Sequence, residues 1–159
     1  MTLNTNITVA VNPVASSGLD LSTPADNLNV MRQLRWLSGN GADQANLVWH
    51  DSRSVAALET LTLTSGLTDA FGVAVNFGLV KLLYIRNTTA YSSANYITIG
   101  GTHGSVGGGL VVRSGGGIAL HIAPDILGYT TSAATTITIT PSGSTATYDI
   151  IIVGVASGA

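Results

Sequence analysis

Three histidines, eight carboxylates and six cations are the acid–base groups, tyrosines apart, that this chain of 159 residues offers for chemistry. His50, His103 and His121 lie far apart and share no H-x-H or H-x-x-x-H spacing, so no metal site is expected from them. The carboxylates Asp51, Glu59, Asp69, Asp125 and Asp149 could serve the paired-acid chemistry of a glycosidase only by default. Asp26, Asp43, Asp51 and Asp125 sit beside turn-like sequence and read as turn or capping residues. Asp149 opens an apolar run, where an arginine partner is expected. Serines abound, but no G-x-S-x-G elbow exposes one as a nucleophile. With no cysteine, thiolate chemistry and disulfides are excluded. No enzyme activity and no cofactor are expected.

The glycine-rich stretch "ITIGGTHGSVGGGLVVRSGGGIALHIAP", residues 97–124, raises the question of a phosphate cradle. A dinucleotide fingerprint needs G-x-G-x-x-G opening a helix, and a P-loop needs a lysine after its glycines. Here the spacing fails, β-type sequence follows each cluster, and the only lysine is Lys81. The stretch therefore reads as strands at 95–99, 110–113 and 117–122, joined by a long mobile loop at 100–109 and a tight turn at 114–117. His103 is then a loop-tip residue with a possible neighbour contact, and His121 lies on the less apolar sheet face.

Binding chemistry is carried better by Trp36 and Trp49, which flank "SGNGADQA" at 38–45, with Arg32 and Arg35 close by. If that segment is a hairpin, the two rings approach each other. They serve as core, as interface anchors, or as a stacking platform for a sugar.

These residues must be held by strands. Period-two alternation puts Ile7, Val9 and Val11 on one face, Leu61 and Leu63 on another, then Ile97 and Ile99, then Ile118, Leu120 and Ile122, then Ile137 and Ile139. Threonines occupy much of the opposite face, which suits half-solvated antiparallel sheets. "LVKLLYIR" (79–86) and "YDIIIVGV" (148–155) are apolar on both faces and predict central strands covered on both sides. "SGGG" (114–117) and "PSGSTA" (141–146) read as hairpin connections. One turn or a short helix is allowed within 43–59. The expected fold is all-β, an antiparallel jelly roll or β-sandwich at 28–159. Residues 1–27 form an N-terminal arm with one strand at 6–11 followed by an extended linker.

Charged residues make up 9% of the chain, against about 25% in an average soluble domain. A surface so poor in charge lacks what normally keeps proteins apart, which points to assembly. The six cations form no stripe, so no nucleic-acid footprint is visible. "MTLNTNITVAV" has neither the basic nor the apolar region of a signal peptide. The apolar run "IIIVGVA" is far short of the roughly 20 residues of a membrane span, and no membrane partner is expected.

Residues 41–89 carry the pattern "GADQANLVW-D-R", a Leu-rich strand, "L-D-FG" and a two-sided strand ending in "RN"; a Gly-rich middle and a closing "TYDIIIVG" follow. Over roughly 38–155 this resembles a group of small tailed-bacteriophage virion proteins, the capsid cement or decoration proteins of jelly-roll type. The insertion-like "THGSVGGG" departs from that pattern. The resemblance implies a homotrimer on the outside of an icosahedral capsid, made in the host cytoplasm. Its partner would be the major capsid protein, whose neighbouring subunits it clamps. It supplies no active-site motif. The partner-binding candidates, taken from the residues themselves, are Ile7, Val9, Val11, Arg32, Arg35, Trp36, Trp49 and His103. The alternative is a phage tail or fibre module, or another β-sandwich that binds a host glycan.

Overall fold

The structure, a computed structural model, describes residues 2–16, 18, 25–92, 94–121 and 127–158. The expectations for Ile122 and Asp125, and for the side chains of Asp26 and His121, lie outside the described residues. All described regular structure is β. In chain order the strands are β1 (Thr5–Val11), β2 (Val14–Ser16), β3 (Ala25–Asn27), β4 (Val30–Ser38), β5 (Gln44–Ala45), β6 (Leu47–Val55), β7 (Glu59–Thr62) and β8 (Leu67–Thr68). They continue as β9 (Ala74–Val75), β10 (Phe77–Asn87), β11 (Tyr96–Gly101), β12 (Leu110–Arg113), β13 (Gly117–His121), β14 (Tyr129–Thr130), β15 (Thr136–Pro141) and β16 (Ala146–Ala156).

Eight of these build the body: β6, β7, β10, β11, β12, β13, β15 and β16. The first pairs with the last, the second with the seventh, the third with the sixth and the fourth with the fifth, all antiparallel. This nesting is one long ribbon rolled up on itself, the wiring of a jelly roll. The roll yields a sheet in the order β13-β10-β16-β6, with β14 alongside β10, and a facing sheet in the order β12-β11-β15-β7.

The alternating residues close the core between the sheets. Ile97, Ile99, Ile137 and Ile139 from one sheet meet Leu83, Ile85, Ile150 and Ile152 from the other. At about 25 cal/mol per Å² of apolar surface removed from water, such side chains stabilise the fold by about 1.5–3 kcal/mol each. Leu61 and Leu63 are buried in the same cluster, as their alternation with threonine predicts.

The two-sided strands β10 and β16 are adjacent, and a second cluster covers their outer face. There Leu82 and Val153 pack with Leu34, Trp36 and Ala45, flanked by Leu3, Ile7, Val48 and Ile151. The second layer is therefore the base of the N-terminal ribbon, laid across the outside of the five-stranded sheet.

Four expectations are corrected. Residues 43–59 form β5, β6 and the start of β7, with no helical turn; their apolar residues lack a 3.6-residue stripe and alternate instead. The connections at 114–117 and 141–146 are not hairpins, because β12 and β13, and likewise β15 and β16, lie in different sheets. Facing sheets are about 10 Å apart, and a few residues span that distance as readily as they turn a hairpin. The true hairpin is β11–β12, closed by the long 102–109 segment. Finally, residues 1–27 hold β2 and β3 beyond β1, and β1 pairs along its length with β4. The arm is a two-stranded ribbon whose return strand runs past position 27.

Candidate functional site

The register of the ribbon defines its two faces. Thr5, Ile7, Val9 and Val11 stand opposite Trp36, Leu34, Arg32 and Val30 and share one face with them. Asn6, Thr8 and Ala10 stand opposite Arg35, Gln33 and Met31 on the other. At the base, the first face is buried: Leu34 and Trp36 are in the second cluster and Ile7 packs against it. From Val9 outward no described residue buries it. Residues 8–16 and 27–33 are all exposed, including Met31 at 72% and Val14 at 69%. From Thr5 to Ser16 the ribbon measures about 40 Å at about 3.3 Å per residue. β2 pairs with β3 in line with the β1–β4 ladder, and the Leu28 N–H donates to the Pro13 carbonyl at 3.2 Å. Ile7, Val9, Val11, Arg32 and Arg35 thus lie on one element, the first half-buried and the rest exposed.

Beside the ribbon base runs an apolar groove of about 560 Å³. Its walls are β1 on one side and Val48, Leu82, Tyr84, Ala119, Ile151 and Val153 of the five-stranded sheet on the other. Among the described residues β1 pairs only with β4, so its other edge is open toward this groove.

The ribbon returns to the body through a turn at 39–43, inside the turn-like 38–45 spacer; what sequence reading missed is the lysine that holds it. Lys81 sits at a bulge in β10, where the register with β16 slips between Val80 and Leu82. Its side chain is buried, and Nζ donates to the carbonyls of Gly41 (2.5 Å) and Ala42 (2.7 Å). Burial lowers the lysine pKa, and the nearby Asp43 carboxylate partly opposes this. The strand is expected to be covered on both faces, but nothing local in "LVKLLYIR" tells which carbonyls take the lysine's ammonium.

The tryptophans are not surface anchors. β4 and β5 pair in parallel, so the segment between Trp36 and Trp49 is no hairpin and the rings do not meet across it. Trp36 is 0% exposed in the outer cluster, and Trp49 is 2% exposed in the inner core on the other side of the sheet. The Trp49 indole donates to the Thr68 carbonyl at 3.1 Å, while Trp36 Nε1 is buried with no acceptor among the described residues.

His103 is no loop tip either. It is 0% exposed, its backbone N–H donates to the Thr136 carbonyl, and its Nδ1 meets Ser105 Oγ at 2.6 Å. The ring stands edge-on to Tyr129 at 5.4 Å, and burial lowers its pKa. The segment folds inward because Val106 is apolar and buried beside it, leaving the glycines at 107–109 outside.

A polar cleft of about 420 Å³ opens between β6 and β7, lined by Trp49, Asp51, Arg53, Thr60 and Thr68 among others. Arg53 bridges Glu59 (2.5 Å) and Asp51 (2.7 Å), and Glu59 also accepts from the Tyr148 hydroxyl at 2.8 Å. The bond to Glu59 raises the Arg53 pKa, and burial together with Glu59 raises that of Tyr148 well above the tyrosine range. Both carboxylates pair with one guanidinium, an arrangement that braces the sheet edge. Asp149 accepts from Ser52 Oγ at 2.7 Å rather than from an arginine, and Asp69 accepts from the Phe71 and Val73 N–H groups of its own turn. Among the described residues no three His, Asp or Glu side chains converge on a point where a metal ion would sit. No family model, curated protein or solved structure matches this chain.

Proposed function

We propose that the chain is a structural virion protein: a cement or decoration protein that binds the outside of an icosahedral phage capsid as a homotrimer and bridges neighbouring major capsid subunits. The observation that carries this reading is the ribbon arm. It extends uncovered apolar residues from a jelly-roll body whose surface has little charge to keep partners away. A shell repeats each contact by symmetry, so modest individual contacts act with avidity. A protein that binds only the assembled shell stabilises it by mass action.

The test is decoration of empty capsids that lack this protein. The arm is shortened by replacing residues 12–29 with an Asn-Gly turn between Val11 and Val30, which are register partners. Removing 1–27 instead would strip β4 of its partner and uncover Leu82 and Val153. The intact chain is expected to co-sediment with shells and raise their melting temperature. The shortened chain is expected to stay folded and bind weakly. Equal binding by both would refute the arm's role, and no binding by the intact chain would refute the reading.

The polar cleft beside β6 favours one second reading, a glycan-binding module of a tail or fibre. Binding to a glycan array that is lost in Arg53→Ala would support it over the first.

A further inference from the structure

We propose that the groove beside β1 is the seat for the arm of a second copy of this chain, whose uncharged strand, residues 9–16, lies along the open edge of β1. This inference rests on the self-association in the proposed function but not on any shell.

Three observations select this occupant. The first is continuity. The same ribbon face that is exposed at Val9, Val11 and Val30 is seated, at Ile7, Leu34 and Trp36, on Leu82 and Val153 of its own sheet. The groove continues that surface past Leu82 and Val153, which are already covered, with half-buried Val48, Tyr84 and Ile151 and exposed Ala119. The arm's outer half thus meets in a second copy the continuation of the surface its inner half covers.

The second is charge. Among the described residues no ionisable side chain other than Tyr84 lines the groove, and residues 2–16 contain no Asp, Glu, Lys or Arg. A charged segment would lose hydration there without a partner. Strand 9–16 brings only apolar and neutral side chains, and its backbone supplies hydrogen bonds for the edge of β1; Arg32, opposite Val9 on the return strand, shares the face and keeps its guanidinium in water over a buried stem. Left bare, an edge of this composition is a template for uncontrolled pairing.

The third is area. Residues 9–16 extend about 26 Å, and two strands make a face about 10 Å wide, so one seated arm buries about 250 Å² on each side, about 500 Å² in all. Stable interfaces bury at least about 1,000 Å². A single one-way contact falls short. Exchanged within a pair, two arms bring one interface to that range; around a closed ring each interface stays at about 500 Å², but each copy is held by two of them, about 1,000 Å² per copy, and leaving breaks both at once.

The chain contains no cysteine, so introduced cysteines report without background. Sedimentation velocity of the purified intact chain is expected to show a discrete oligomer, and the chain with residues 12–29 replaced by Asn-Gly is expected to lose it. Val11→Cys mixed with Ala119→Cys and a flexible bismaleimide is expected to give a cross-linked dimer in many-fold excess over Val11→Cys mixed with Val111→Cys. Val111 is exposed on β12 of the other sheet and serves as the control. A monomeric intact chain, an oligomer that survives arm shortening, or equal yields in the two mixtures would each overturn the inference. An intact chain that decorates shells as a monomer would overturn it together with the homotrimer, and leave shell binding standing. A chain that forms the arm-dependent oligomer yet ignores shells would do the reverse.

Discussion

Lys81 tests how a buried ammonium contributes to this fold. Lys81→Ala removes two hydrogen bonds to the Gly41 and Ala42 carbonyls and three methylenes from a closed site. The methylenes account for about 2.4 kcal/mol at about 0.8 kcal/mol each. The carbonyls are only half-buried and rehydrate, so the bonds add about 1 kcal/mol each. Against this stands the relief of desolvation of the ammonium, a few kcal/mol. The expected net loss is about 2–3 kcal/mol. Lys81→Met keeps the stem and also removes the charge, so its loss is expected below about 1 kcal/mol. Urea unfolding of the three chains at neutral pH measures both.

The pH dependence gives an independent check. Because burial lowers the Lys81 pKa, the unfolded chain holds this proton more tightly than the folded one. Between the folded value and the ordinary 10.5, the unfolded state carries the greater proton count and stability rises with pH. Below that window the penalty is fully present. Tyr148 acts oppositely, since its pKa is raised on folding and stability falls as pH rises above about 10. The difference between the wild-type chain and Lys81→Met cancels the tyrosine. That difference is expected to grow in favour of wild type as pH rises toward 10.5. A Lys81→Met chain as unstable as Lys81→Ala, or a difference that is flat in pH, would refute this account of the site.

Glu59→Gln weakens the bridge to Arg53 and the bond from Tyr148; with the Arg53 side chain 33% exposed the expected cost is about 1–2 kcal/mol by urea unfolding. In alkaline absorbance titration, Tyr148 is expected to remain protonated until the protein unfolds, and Tyr148→Phe to remove that late fraction. Trp36→Phe is expected to cost below about 1.5 kcal/mol, because it deletes a buried N–H with no acceptor along with some area. Gly154→Ala would set a Cβ 2.0 Å from the Leu79 carbonyl oxygen of the paired strand, so a loss of about 3 kcal/mol or more, or failure to fold, is expected in expression and thermal-melt assays.

Strand positions were legible because each body strand obeys one rule. Ile97, Ile99, Ile137 and Ile139 alternate with threonine or glycine, and all four are buried. Even the double coverage of 79–86 and 148–155 could be read, since only burial on both faces tolerates such runs. Pairing could not. The link at 141–146 has the same local chemistry whether it turns within a sheet or crosses between two, and the deciding contacts lie far off in sequence. β16, for example, pairs with β6 about a hundred residues upstream. The same gap hid the arm's return strand: nothing local in "VMRQLRWLS" says that it pairs with "TNITVAV" rather than with its other neighbour. His103 was misplaced because flanking glycines suggest mobility, while the buried Val106 three residues on draws the loop inward.

The arm's two halves obey different demands, and this separates folding from assembly in the ribbon. Up to Ile7 and from Leu34 on, alternation is kept because the ribbon must cover Leu82 and Val153, which the two-sided sheet would otherwise expose. Folding stops asking for apolar residues beyond Val9, yet Val9, Val11, Val14, Leu28 and Val30 continue and Met31 appears on the second face as well. Nothing in the isolated chain is stabilised by them, and an exposed two-stranded ribbon is marginal alone. Such a stretch lowers free energy only when a surface outside the chain covers it. If the outer residues serve the fold alone, then Val11→Ser, Val30→Ser and Met31→Ser leave oligomer and shell binding untouched and lower stability by more than the about 0.5 kcal/mol of ordinary surface substitutions. If assembly uses them, stability stays within that range and association weakens with each substitution.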